Sequence, residues 1–496
     1  MTLLRYGRPA NLEPKHRGFK YQVEAVEAIR KLPFAGIFHE QGLGKTKIGL
    51  DLALLWLNQD LVDSVLIVTK KSLVKNWRDE IATHTHLKPR ILDQDRQANY
   101  RAFNSPARIY LAHYEVLKSE NARLKLFLKT RRVGAILDES QKIKNPDADV
   151  TIAARSLSQG FARKVIMTGT PIANRPYDIW AQIAFLDEGK ALGDDFEDFK
   201  ESLDLTNDLV AAPEKATLLE EKLGTLYEQI RPFCIRETKA SSGIVLPEKR
   251  IENIYVDLAP RQAELYRQYK EELGAIVVRS GMATQDDAEG ILKRLLRLVQ
   301  VASNPKLVDS NYSEEPGKLH SLRSLLDDVA DSGEKAIVWT SFIDNATWLA
   351  KEFEHLNAAV VHGGRSIDDR NAAITDFKND TDCRILIATP GAAKEGLTLT
   401  VANHAIFYDR SFSLDDYLQA QDRIHRISQK RACVVQNLVA RDTVDEWVDA
   451  LLAAKHLAAQ LGQGDLSMDE YKKRSSYEFG EMVREVLGLD ENEVRQ

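Results

Sequence analysis

Short apolar runs, set apart by stretches with helical spacing, make up the dominant pattern of this chain. Val65-Leu66-Ile67-Val68, Ile109-Tyr110-Leu111-Ala112, Val133-Gly134-Ala135-Ile136-Leu137 and Lys164-Val165-Ile166-Met167 are nearly unbroken and rich in β-branched residues. Runs of this kind alternating with helices predict a parallel sheet covered on both faces. A second series begins after Gly317-Lys318-Leu319. Its predicted strands are Ala336-Ile337-Val338-Trp339, Ala359-Val360-Val361, Ile385-Leu386-Ile387-Ala388, Ala405-Ile406-Phe407-Tyr408 and Cys433-Val434-Val435. Residues 175 to 245 break the alternation and read mainly helical, through Leu218, Leu219, Leu223, Leu226 and Ile230. Another helical stretch runs through Ile291, Leu295, Leu298 and Val299. The expected fold is therefore α/β: two lobes with parallel sheets, each carrying a helical insertion.

In such a sheet functional groups gather at the carboxyl ends of the strands. Gly36-Ile37-Phe38 reads as a strand end, and it leads into His39-Glu40-Gln41-Gly42-Leu43-Gly44-Lys45-Thr46, after which Ile48, Leu52 and Leu55 have helical spacing. Strand, glycine loop and helix together form a phosphate cradle, because glycines admit backbone N–H groups and the helix N-terminus adds positive charge. Gly42, Leu43 and Gly44 would line it, Lys45 would neutralise the β- and γ-phosphates, and the Thr46 hydroxyl would ligate Mg²⁺. The strict phosphate-loop pattern has glycine where this chain has His39, and a chance glycine turn would share the same residues. Gln22, about twenty residues before Lys45, carries an amide that can pair with an adenine edge; a solvated helix residue is the plain alternative. Asp138-Glu139 directly follow a buried run. Asp138 fits a Mg²⁺-holding acid, and Glu139 fits the residue that orients or activates water.

Bulk properties narrow the class without choosing a partner. At 496 residues the chain is long enough for two or three domains, and its apolar content of 44% is ordinary for a globular protein. No stretch resembles a membrane span, and the N-terminal residues lack an apolar signal core. Cys234, Cys383 and Cys433 read as reduced core thiols of a cytoplasmic protein, with no metal-binding spacing. A net charge of −6 neither announces nor excludes a polyanion, since a local basic groove governs such binding.

The order of four motifs then carries a resemblance. Tyr21-Gln22, Gly42-Leu43-Gly44-Lys45-Thr46, Asp138-Glu139 with Lys142-Ile143-Lys144-Asn145, and Thr168-Gly169-Thr170-Pro171-Ile172-Ala173-Asn174 resemble the SNF2-type ATPases of helicase superfamily 2. Gln419-Ala420-Gln421-Asp422-Arg423-Ile424-His425-Arg426-Ile427-Ser428-Gln429 resembles that family's arginine motif. At helical spacing Gln419, Arg423 and Arg426 would share one face. The resemblance implies two RecA-like lobes. It also implies arginine fingers, Arg423 and Arg426, acting with Gln419 on the γ-phosphate from the opposite lobe, and a nucleotide contact at Gly396. Ser428 stands where the family usually has glycine, Ala393-Lys394 where a Gly-Gly pair is common, Ser140-Gln141 where Ala-His is usual, and Arg236-Glu237 where an arginine pair is typical. Gly396-Leu397-Thr398-Leu399-Thr400 resembles the annealing-helicase-like branch.

The implied activity is ATP- and Mg²⁺-dependent movement of a monomeric motor along double-stranded or branched DNA, with no membrane partner. Lys71, Ser72, Tyr114 and Thr389 are the candidate DNA contacts; structural loop residues would read the same way. The expected divisions are residues 1–240 for the first lobe, with its insertion at about 175–235, then 241–315 for a linker and second helical insertion. Residues 316–465 form the second lobe and 466–496 a brace or tail. Strand separation or fork remodelling is the rival within the same chemistry, and an ATP-gated DNA-binding subunit is the rival from another class. The lack of chromatin-reading modules points to a prokaryotic or viral source.

Overall fold

The computed structural model describes residues 11–172, 174–201, 203, 213–279, 288–393 and 398–474. They group into two units. The first holds the chain up to Leu203 together with Leu219–Ile244 and Ala459–Met468, and the second is mainly Val245–Ala458.

In the first unit seven strands form one sheet: β1 (Phe34–Ile37), β2 (Ser64–Thr69), β3 (Arg90–Leu92), β4 (Ile109–His113), β5 (Val133–Asp138), β6 (Arg163–Met167) and β7 (Cys234–Ile235). Their spatial order is β3-β4-β2-β5-β6-β1-β7, and every neighbouring pair is parallel. Parallel neighbours need crossovers, and the helices Lys45–Asn58, Val74–His84, Asn121–Thr130 and Asp149–Ser158 lie within those crossovers. Strands β2 and β5 are buried along their whole length, which is why they read as unbroken apolar runs. Ile48, Leu52 and Trp56 of the first crossover helix pack with Ile37, Ile67, Ile136 and Val165 of the sheet.

The second unit carries six strands: β8 (Lys249–Val256), β9 (Ala336–Trp339), β10 (Ala359–Val361), β11 (Ile385–Ala388), β12 (His404–Phe407) and β13 (Cys433–Ala440). Their order is β10-β11-β9-β12-β13-β8, again all parallel. Alternate residues of one strand feed two different cores. Ile337, Trp339, Leu386 and Phe407 join Phe377 and Ile424 on one face; Val338, Ile387 and Ile406 join Leu322, Leu326 and Leu349 on the other. A helical hairpin, Pro260–Arg279 and Ala288–Ser303, is closed at its base by the Gln262 amide, which donates to the carbonyls of Val301 (2.8 Å) and Ala302 (3.2 Å).

Two α/β units with parallel sheets are thus present, and the strands expected from the apolar runs all form. Three strands lay outside that expectation. β3 and β7 are only three and two residues long. β8 is an edge strand whose residues are mostly exposed, so Lys249-Arg250-Ile251-Glu252-Asn253-Ile254-Tyr255-Val256 mixes charge with apolar residues and carries no buried-run signal. The final segment read as a brace is described only to Arg474, and most of it lies outside the described residues. Among the described residues no helix is long and apolar enough to cross a membrane, and Cys234, Cys383 and Cys433 are buried free thiols.

Candidate nucleotide site

β1 ends at Ile37, and the helix Lys45–Asn58 begins at Gly44, its N-cap residue. Gly42 and Gly44 have φ of +86° and +68°, a left-handed backbone that side-chain-bearing residues enter only at a cost. A Cβ at Gly44 would also stand 2.5 Å from Nε2 of Gln22, so that amide would have to move. Gln22 is buried beneath the loop. Its amide donates to the Leu43 carbonyl (3.1 Å) and the Tyr21 hydroxyl (3.2 Å), and its oxygen accepts from Phe19 N–H (2.9 Å). Tyr21 donates to the same Leu43 carbonyl at 2.9 Å. The structure thereby gives Gln22 a loop-supporting role that the sequence reading, aimed at adenine, did not include. The Lys45 ammonium is drawn across the loop, donating to the carbonyls of His39 (2.8 Å) and Glu40 (3.3 Å), and Thr46 is half-buried in the first helical turn.

Two strands away, β5 ends on Asp138, in register with Met167 of β6. Its Oδ2 accepts from Trp77 Nε1 (2.7 Å) and Thr69 Oγ1 (3.2 Å), while Tyr114 donates to its backbone carbonyl (2.9 Å). Burial, and then the neighbouring Glu139 charge, raise the Asp138 carboxyl to about 6 against the pull of Trp77, Lys45 and Thr69. Glu139 has φ +53°, a strained conformation for a residue with a side chain, and such strain is characteristic of functional turns. Lys70 holds its carboxylate at 3.4 Å and the Gln141 amide donates to it.

The same turn is wired to the next strand end. Ser140 Oγ donates to Gln182 Oε1 (2.7 Å), and Gln182 Nε2 donates to the carbonyls of Pro171 (3.0 Å) and Asp178 (2.9 Å), all buried. Lys70 and Trp77 stand in the basic loop, residues 69–77, that follows a strand end, where the sequence gives neither a specific role, and Gln182 lies outside every motif. Trp77 left one signal, an indole N–H that must find an acceptor when buried.

In the second unit the helix Leu414–Gln421 is capped by Ser413, whose hydroxyl accepts from Asp416 N–H. Gln419 donates to Asp415 Oδ1 (2.7 Å). The helical face expected for Gln419, Arg423 and Arg426 needs correction, because the helix stops at Gln421. Beyond it Arg423 N–H and Ile424 N–H bond three residues back, to Ala420 and Gln421, and Gln429 takes the Ile424 carbonyl out of any helical ladder. Arg423 is buried; Arg426 is half-buried, donating to Asp422 O (2.8 Å) and Thr398 Oγ1 (3.0 Å). Ser428, the residue in place of the expected glycine, pairs with Thr400 across 3.0 Å. Gly396 lies outside the described residues.

The four candidate DNA contacts separate. Lys71 is exposed and Ser72 half-buried in the turn after β2. Tyr114 is 0% exposed and Thr389 7%, so neither offers a surface as expected. Tyr114 instead supports Asp138, and Thr389 opens the short helical turn after β11, its carbonyl accepting from Ala392 and Ala393.

Comparison with known proteins finds relatives of this sequence. Residues 21–307 match the family model described as the SNF2-related domain, and residues 317–428 match the helicase conserved C-terminal domain. An uncharacterized ATP-dependent helicase of Mycoplasma genitalium, MG018, is 29% identical over 447 residues, covering 86% of this chain and 40% of that protein. The ISWI chromatin-remodeling complex ATPase ISW1 of Saccharomyces cerevisiae is 26% identical, covering 86% of this chain and 39% of its own length. The chain thus spans less than half the length of these curated relatives. Among solved structures, the Sulfolobus solfataricus SWI2/SNF2 ATPase core in complex with dsDNA is 26% identical, with a TM-score of 0.42 over 94% of this chain and 98% of that one.

Proposed function

The chain belongs to the SNF2-related family, and from that premise we propose that it is a DNA-dependent ATPase that converts hydrolysis into movement along double-stranded DNA. The observation that carries this reading is the convergence of Lys45, Asp138 and Glu139 at one end of one sheet, close enough for the Lys45 charge to act on Asp138.

The donor set suits Mg²⁺. A buried carboxyl held at about 6 gains most from a neighbouring cation, and with the Thr46 hydroxyl it offers oxygen ligands only. Bound Mg·ATP supplies the phosphoryl group to be transferred. Backbone N–H groups of Gly42 to Thr46 would receive its phosphates, Lys45 would turn from the His39 and Glu40 carbonyls to neutralise them, and Thr46 and Asp138 would hold the metal. Glu139, fixed by Lys70 and Gln141, orients the attacking water and takes its proton. Gln419, Arg423 and Arg426 act on the γ-phosphate, as the family's arginine motif implies. Contacts to DNA are to phosphates and independent of sequence, with Lys71 and Ser72 as the accessible candidates.

Steady-state ATP hydrolysis tests the proposal with no nucleic acid, single-stranded DNA, linear duplex, forked duplex and RNA. Strong stimulation by linear duplex is the expected result. Preference for forks would favour branch remodelling, while stimulation by RNA alone would overturn a DNA motor. Nucleotide-dependent DNA binding without turnover would leave an ATP-gated binding subunit.

A further inference from the structure

Arg236 lies just after β7 and carries no role in the site above, yet it touches both walls of the nucleotide loop. Its Nη1 donates to the carbonyl of Phe38, where the loop leaves β1, and to the carbonyl of Gly169 (3.3 Å) in the loop after β6. Those walls are themselves in contact: a Cβ at Gly169 would fall 2.7 Å from Cγ of Gln41, so the second loop packs directly on the first. The other edge of the guanidinium is gripped by Asp465, with Nε 3.0 Å from Oδ1 and Nη2 2.6 Å from Oδ2. The two side chains are only 14% and 11% exposed, so water screens the pair weakly. Asp465 is aimed by the turn that ends the helix Val444–Gly462. Gly464 takes φ +76° there and packs on the Tyr227 ring, while Asp465 N–H returns to Gln460 O (2.8 Å).

We propose that Arg236 and Asp465 are positioning residues for the nucleotide loop, a clasp through which the segment Ala459–Met468 sets the affinity for ATP and ADP. The planar fork is the reason arginine is used. One edge is fixed by a bidentate carboxylate, which directs the other edge's donors at two carbonyls that must keep their spacing for the loop N–H groups to converge on phosphate. Without Asp465 the guanidinium keeps its charge but loses its fixed direction. The inference rests on the nucleotide-binding reading of the loop.

The experiment is titration of a fluorescent ADP, with Mg²⁺, into the full chain and its variants well below their thermal midpoints. Asp465→Asn, nearly isosteric, is expected to weaken binding about tenfold, the size of one charge-assisted hydrogen bond. Asp465→Glu should recover most of the loss. Arg236→Ala with Asp465→Ala should bind no worse than Arg236→Ala alone, because the two residues make one device. Lys45→Ala separates the two levels of inference. If Lys45→Ala abolishes binding while Asp465→Asn binds like the parent chain, the clasp is wrong and the nucleotide site stands. If Lys45→Ala also binds normally, the nucleotide reading fails and takes the clasp with it. A lowered midpoint with unchanged affinity in Asp465→Asn would reduce the pair to a structural ion pair and overturn the proposal.

Discussion

His39 stands where a strict phosphate loop has glycine, and the residue is 2% exposed. Burial, reinforced by the Lys45 and Arg236 charges, pushes its pKa down to about 3. The unfolded chain binds a proton near 6.5 and the folded chain does not, so this residue's contribution to stability is complete above 6.5 and fades as pH falls toward 3. Between pH 7 and 5 the loss is about 2 kcal/mol. Asp138 works in the opposite direction: raised to about 6, it keeps its proton in the folded state and favours folding as pH falls through the same range. The two separate in a variant. His39→Gln should reduce the drop in urea-unfolding free energy from pH 7 to 5 by about 2 kcal/mol relative to the parent, leaving Asp138 in both chains. Parallel pH profiles would refute a buried neutral imidazole.

Among the elements, the helix Gly317–Asp331 opens the repeated strand–helix pattern of the second unit and depends on its first residue. A Cβ at Gly317 would stand 2.1 Å from the carbonyl oxygen of Asp257, just past the end of β8. Gly317 N–H also donates to Gln262 at the base of the helical hairpin (2.9 Å). Gly317→Ala should therefore cost about 2–3 kcal/mol, read as a lowered thermal midpoint, and an unchanged midpoint would mean that β8 is not held against this helix. Elements of this kind were legible to the degree that burial was two-sided. β2, β5, β9 and β12 announced themselves, whereas β8 did not, because an edge strand needs no continuous apolar run. Helical spacing misled at Arg423 and Arg426 for a related reason. A side-chain amide, Gln429, satisfies the backbone that would have continued the helix, and periodicity cannot register such a competitor. Tyr114 was open to two readings, a DNA contact or a structural residue, and its position after a strand could not choose between them; the hydroxyl in fact donates to the backbone carbonyl of Asp138. Local motifs showed the loop residues Gly42 to Thr46 and the Asp138-Glu139 pair. The partners Trp77 and Gln182 are 61 and 42 residues from the groups they hold, distances at which no local pattern links them.

Taken whole, the molecule is mildly acidic at −6, so a DNA path must be a local concentration of positive charge acting against the molecule's own average. Counterion release then gives a quantitative expectation. With about six phosphates engaged, duplex affinity should fall roughly 10³-fold between 50 and 200 mM salt. Affinity that ignores salt would argue against a motor tracking a phosphate backbone. Arg236 and Asp465, finally, are 229 positions apart, and this separation bears on the moment of synthesis. At about 5–20 residues per second, roughly 10–45 s pass on the ribosome after Arg236 is added before Asp465 exists. Through that interval the nascent first unit has its sheet residues in place but lacks this anchor, because its finishing piece, Ala459–Met468, is translated only after Val245–Ala458 of the second unit.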